Sequence, residues 1–222
     1  MSTWGGHWTA GIGAATADSP EGPFVDQGKI FDSKSIGVEN SIDQTYFDNG
    51  KKKYMLWGSF HGIYAVELTK DGLAVKKGAD KVKIAGTAYE GAYIYKKGKY
   101  YYFFGSTGSC CEGLNSTYQL VYGRSKSLLG PYVNKKGDLL MNNKHDVLIG
   151  KNEGFVGNGH NAQILKDDAG NDWLFYHGFV NEDNSKKLDR YLLLSQLKWD
   201  QQGWPYVDGN SPQKTANAPF IR

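Results

Sequence analysis

A chain of 222 residues with 40% hydrophobic and 22% charged residues is long enough to bury one substantial core and has the balance of a globular domain. The formal net charge is only +3, from 26 basic and 23 acidic residues. The lysines fall in short runs (51–53, 76–77, 96–97, 186–187) at turn-like positions, which excludes a basic nucleic-acid stripe.

No apolar run approaches the ~18 residues of a membrane span. From Met1 to Trp8 there is neither a basic n-region nor an apolar h-region, so no signal peptide is expected in this chain. Aromatic residues are abundant (15 Tyr, 10 Phe and 6 Trp) beside 29 Gly, a mixture that suits many short strands separated by turns. Aromatic faces also suit sugar stacking, although core packing accounts for most such rings.

Helical periodicity is hard to find along the chain. Strands are predicted over 54–60, 63–68, 100–106, 118–123, 173–178 and 190–197. Turn signals separate them, at 48–50, 97–99 and 168–171. The polar stretch 180–189 lacks the ligand spacing of an EF-hand and reads as a solvated insertion. Cys110 and Cys111 are the only cysteines and are adjacent, so they cannot staple a long loop, nor do two cysteines alone make a zinc site.

An internal repeat selects the architecture. Asp43 to Gly58 and Glu90 to Gly105 each run fifteen positions from an acidic residue, through a turn and an aromatic strand, to a glycine. A third copy begins at His160 and, with a turn two residues longer, reaches His177 and Gly178. A different half of the unit recurs in 15–24 and 123–132, so the chain is expected to open inside a module. The reading is all-β, a single domain over 1–222, with three whole modules and one partial one. It is a propeller, in which the first strand of each blade lines the central channel.

Asp43, Glu90 and His160 should then converge on one polar pocket; the alternative is that they merely cap turns. Two facing carboxylates are the equipment of glycoside cleavage, in which one stays protonated to serve the leaving oxygen. Gly91 is expected to leave room for a ligand beside Glu90. His160 is a metal ligand, a hydrogen-bond donor or a structural histidine.

These residues resemble glycoside hydrolase family 43, in particular its arabinanase-like five-bladed propellers. The resemblance runs over essentially the whole chain and is carried by 13–24, Asn40-Ser41-Ile42-Asp43, 57–63, Tyr89-Glu90-Gly91, 105–113 with its Cys110-Cys111 pair, 116–118, 123–126, Gly159-His160-Asn161 and 197–200. It implies about three and a half blades of a five-bladed type, lacking the N-terminal blade. It implies inverting hydrolysis of arabinan with Glu90 as general acid and Asp43 raising its pKa and orienting it. His160 would stand beside a central calcium reached largely through water. Ser59, Phe60 and Arg190 would touch substrate, with Phe60 alternatively part of the core and Arg190 alternatively a pKa-tuning arginine.

The family's general base belongs upstream of Met1. Asp18, Asp26 and Asp32 do not match its motif, so the isolated chain is expected to be nearly inactive unless a missing blade complements it. Two alternatives stay open: a non-catalytic carbohydrate-binding propeller, and a xylosidase or arabinofuranosidase of the same fold. Family members are secreted or periplasmic, and the open ring is expected either to self-associate through its gap or to close in a distorted four-module form. The expected partners are arabinose-containing polysaccharides, with no nucleic acid and no membrane.

Overall fold

The computed structural model describes residues 2–3, 7–181 and 189–222; the expected solvated insertion thus falls mostly outside the described residues. Four antiparallel sheets follow one another among the described residues. The first holds β1 (Ser2–Thr3), β2 (Gly11–Thr16) and β3 (Val25–Asp32), followed by the short helix α1 (Ser33–Ile36). The second holds β4 (Thr45–Asp48), β5 (Lys53–Trp57), β6 (Ile63–Glu67) and β7 (Val82–Ala85). The third holds β8 (Glu90–Lys97), β9 (Tyr100–Thr107), β10 (Gln119–Ser125) and β11 (Asp146–Ile149).

In the fourth sheet, β12 (Phe155–Gly159) and β13 (Leu165–Lys166) both pair with β14 (Asp172–Val180). The sheet continues through β15 (Arg190–Trp199) to β16 (Pro205–Tyr206). Apart from β12, which pairs with β14 past the two-residue β13, each strand pairs with its neighbours in the chain, so the sheets are meanders. No helix among the described residues is long and apolar enough to cross a membrane.

Side-chain alternation shows how the sheets stack. On β5, Met55 and Trp57 join Ile12, Phe31 and Val38 in a cluster between the first and second sheets. Their neighbours Tyr54 and Leu56 point the other way, into a cluster with Ile94 and Phe103 of the third sheet. On β9, Phe103 faces back while Tyr102 and Phe104 meet Leu174, Tyr176 and Leu197 of the fourth sheet. A strand alternates faces with period two, and here both faces are covered by neighbouring sheets. That explains the near-continuous apolar runs of the sequence. Sheets stacked face to face in chain order are propeller blades.

The turns are made by the residues the sequence suggested. Between β4 and β5, Asp48 Oδ1 accepts from Gly50 N (2.7 Å) and Asn49 Oδ1 from Lys51 N (3.0 Å) and Lys52 N (2.8 Å). Gly50 takes a φ of 81°, which glycine adopts without a Cβ clash.

Candidate active site

Asp43 is placed by a short wired segment. Ser41 N–H donates to Ser33 Oγ (3.0 Å), and Ser41 Oγ accepts from Trp57 Nε1 (3.1 Å). Gly58 N–H donates to the Ile42 carbonyl at 3.0 Å, tying the segment to the end of β5. Asp43 then adopts a φ of 57°, in the left-handed region, before β4 begins. Glu90 opens β8 opposite Ser106, after which the register slips until Tyr93 meets Phe104; Gly91, inside the slip, has a φ of 56°. His160, with a φ of 49°, lies in the gap between β12 and β13. Each of the three residues stands at a break in regular strand backbone: just before β4, at the register slip that opens β8, and between β12 and β13.

The breaks bring the side chains together. Ligand atoms of Asp43, Glu90 and His160 lie within 4.8 Å of one another. Asp43 and His160 line a channel of about 860 Å³ whose walls also include Thr45, Gly91, Tyr93 and Asn161, with Glu90 next to Gly91 in the chain. Thr45 Oγ1 donates to the Ala92 carbonyl (2.7 Å), fastening β4 to β8 across the blade boundary.

Both oxygens of Glu90 are held. Ser59 Oγ donates to Oε2 (2.8 Å) and Tyr118 OH donates to Oε1 (2.6 Å). Asp43 Oδ2 accepts from Gly91 N–H at 3.2 Å. Burial pushes the Asp43 carboxyl above its ordinary range; His160 pulls it back, Glu90 raises it further, and the Gly91 N–H lowers it. His160 N–H donates to Ser106 Oγ (2.7 Å), and its ring sits against Gly91. A Cβ at Gly91 would stand 3.1 Å from that ring, so the room expected there for a ligand is filled by the imidazole.

The other predicted residues separate by environment. Ser59 is buried with its hydroxyl committed to Glu90, so it positions the carboxyl. Phe60 is 40% exposed with a φ of 55°, open to solvent rather than part of the core. Arg190 is exposed at the start of β15, opposite Phe179, and its charge reaches His177. Cys110 and Cys111 are bridged to each other.

Three residues have roles that their sequence pattern did not show: Tyr118, Ser106 and His177. Tyr118 is fully buried and stacks on His177 with ring centroids 5.7 Å apart. Burial pushes the His177 imidazole down to about 4, with Arg190 and His160 adding to the effect. Tyr118 lies in a recognisable motif, 116–118, but only the fold brings its hydroxyl to a residue twenty-eight positions earlier.

Sheets stacked as blades around a channel that bears a carboxylate pair define a propeller of glycosidase type. The chain belongs to glycosyl hydrolases family 43, whose family model matches residues 1–205. It is 35% identical over 207 residues to an extracellular exo-α-(1→5)-L-arabinofuranosidase, ArbA, of Cellvibrio japonicus, covering 86% of this chain and 58% of that protein. It is 32% identical over 213 residues to extracellular endo-α-(1→5)-L-arabinanase 1 of Bacillus subtilis, covering 92% and 62%. The chain therefore spans about three-fifths of the length of these relatives.

Among solved structures, the α-L-arabinanase of Cellvibrio cellulosa with arabinohexaose matches with a TM-score of 0.83 at 30% identity, over 95% of this chain and 74% of that one. An endo-arabinanase of Bacillus licheniformis matches with a TM-score of 0.79 at 32% identity, over 92% and 69%. The fold is all-β and of the five-bladed propeller type, with about three and a half blades in this chain.

Proposed function

We propose that this protein hydrolyses α-1,5-linked arabinan, with Glu90 as the general acid and Asp43 as the residue that tunes and orients it. The observation that carries the reading is the Glu90 carboxyl, held at both oxygens by Ser59 and Tyr118 and set beside a second carboxyl raised by burial. In an inverting reaction the protonated acid gives its proton to the glycosidic oxygen as the bond to the anomeric carbon breaks. A base on the far side of the sugar activates water, with the two carboxyls roughly 6.5–9.5 Å apart.

Asp18, Asp26 and Asp32 are poor candidates for that base. Asp18 is exposed in a turn, Asp26 accepts from Gly28 N–H (2.8 Å), and Asp32 caps α1 while pairing with Lys29 (2.5 Å). The base is then a residue other than these three. The occupation of these aspartates favours a second reading, in which the chain binds arabinan-type glycans without turnover. The relatives' named activities support the sugar class, and their extracellular naming supports export of this protein.

The family resemblance implies a calcium ion at His160, held largely through water. The residues fit a hydrated ion. Asn161 Oδ1 and His177 Nδ1 are buried without a hydrogen-bond partner among the described residues, and Asn161 lines the same channel as Asp43 and His160. Carboxylate, amide oxygen and water suit calcium, whereas an imidazole suits it better through a water. Bound there, the ion would supply positive charge to the channel. The protein's own residues hold the acid, position it and transfer its proton.

The test is turnover of linear arabinan, with and without added calcium, by the wild type, Glu90→Ala and Asp43→Ala. We expect Glu90→Ala to lower turnover on the order of 10²–10⁴-fold while binding persists. Arabinan binding by the wild type without any turnover would establish the second reading. Unchanged turnover in Glu90→Ala would overturn the assignment of the acid.

A further inference from the structure

We propose that His7, Glu39 and His61 form a binding site for one divalent transition-metal ion of the zinc type, beside the Asp43–Glu90–His160 channel but separate from it. The three residues come from different loops. His7 lies in the turn before β2, Glu39 follows α1, and His61 sits in the turn between β5 and β6. Their ligand atoms lie within 4.8 Å of one another. His7 Nδ1 is 2.9 Å from Glu39 Oε1, and His61 Nδ1 is 3.4 Å from Glu39 Oε2. Around zinc with bonds of 2.0–2.1 Å, tetrahedral ligand atoms stand about 3.4 Å apart, so these separations need little adjustment.

The backbone frames the cluster independently of those side chains. Asn40, next to Glu39, donates its N–H to the His7 carbonyl (2.6 Å) and its amide Nδ2 to the Ser59 carbonyl (3.4 Å). One residue thus binds the His7 loop and the His61 turn to the Glu39 segment. The two imidazoles meet edge to face, with centroids 5.4 Å apart, and both aim Nδ1 at one carboxylate. Among the described residues the ion-pair partners of Glu39 are these two histidines, so no lysine or arginine occupies the cation position.

Two neutral imidazoles and a carboxylate form a nitrogen-rich set that selects zinc-like ions over calcium or magnesium. The side chains are 52%, 31% and 33% exposed, so an ion can enter from solvent and a water can complete its shell. His61 is two residues from Ser59, the donor to Glu90; an ion held here would also steady the turn that carries Ser59.

The experiment uses the untagged full chain, stripped with chelator and then titrated with zinc by calorimetry and with cobalt by visible absorption at neutral pH. We expect one equivalent of zinc, and cobalt bands of a low-coordinate nitrogen–oxygen site displaced by zinc. Glu39→Gln and His61→Ala should each weaken zinc binding at least about tenfold, as should His7→Ala, whose half-exposed side chain can be removed without disturbing the core. His160→Ala should leave this binding in place. The proposal is overturned by a wild type that binds no stoichiometric zinc, which would make the cluster a purely hydrogen-bonded one. It is equally overturned by binding that survives Glu39→Gln and His61→Ala, or by binding lost only in His160→Ala.

Discussion

Tyr118 and Ser59 both donate to Glu90 but differ in what else they do. Tyr118 is fully buried and its phenol is raised beyond its ordinary range by burial, then by the nearby Glu90 charge, so it remains a donor at any working pH. Tyr118→Phe keeps the ring stack on His177 and deletes one hydrogen bond to the acid. The expected result in steady-state kinetics is a kcat about tenfold lower, roughly 1.4 kcal/mol, with KM little changed. A second residue test concerns His145, whose Nδ1 meets the Tyr89 hydroxyl at 3.2 Å, one position before Glu90. Burial holds this imidazole below its ordinary value, against the raising effect of Asp146. The unfolded chain therefore binds the proton first. The stabilising contribution is complete above a pH of about 6.5 and is lost as pH falls below it. His145→Gln should flatten the fall in urea midpoint below that pH, and an unchanged slope would remove His145 as its source. At this scale the sequence showed Asp43, Glu90 and His160, because they recur at equivalent places. It could not show Tyr118 or Ser106, whose partners lie twenty-eight and fifty-four positions away and are brought near only by sheet stacking.

The turn between β5 and β6 carries Ser59, Phe60 and His61, and its backbone is unusual at each end. Gly58 has a φ of 132° and Gly62 a φ of 101°, and a Cβ on Gly58 would stand 2.1 Å from the Gly62 carbonyl oxygen. An alanine there clashes with backbone, which cannot rotate away. Gly58→Ala should therefore destabilise the fold by about 2–4 kcal/mol and displace the Ser59 hydroxyl from Glu90. Thermal unfolding measures the first effect, and a proportionate loss of turnover in the still-folded fraction measures the second. Elements were legible where apolar runs are long: β5, β6, β9, β10 and β14, largely buried, overlap predicted strands, as does β15, whose first three residues are exposed. The outer strands gave weaker signals. β3 is exposed over its first five residues and mixes Asp, Gln, Gly and Lys, so neither alternation nor an apolar run marks it. The helix α1 is only four residues long, too short for periodicity, and is defined by the Asp32 capping box. β12 and β13 were hidden for another reason, since the break at His160 splits one inner strand into two short ones.

Across the whole molecule, cohesion depends on how each blade grips the next. Most of that grip is the apolar layer between sheets, but the third and fourth sheets also share a polar clasp. Asp172, at the start of β14, has a side chain only 2% exposed and accepts from Lys97 (2.7 Å) and Tyr95 (2.9 Å) of the third sheet. It also accepts from Lys166 (2.6 Å) and Trp199 (2.7 Å) of its own sheet. Burial alone would raise this carboxyl, but the donors outweigh it and hold the carboxyl below its ordinary value. A depressed carboxylate contributes stability that is complete above the unfolded value of about 3.9 and is lost as pH falls through the folded value. Asp172→Asn keeps the shape and one acceptor oxygen but removes the charge that both lysines face. We expect it to cost roughly 2–3 kcal/mol at neutral pH, the range of hydrogen bonds to a buried charge. Denaturant unfolding at pH 7 and again near pH 3 checks this, because the gap between variant and wild type should narrow as the wild-type carboxylate is itself protonated. A gap independent of pH would mean that the clasp acts through shape alone. The sheets would then be joined by their apolar layer without electrostatic help.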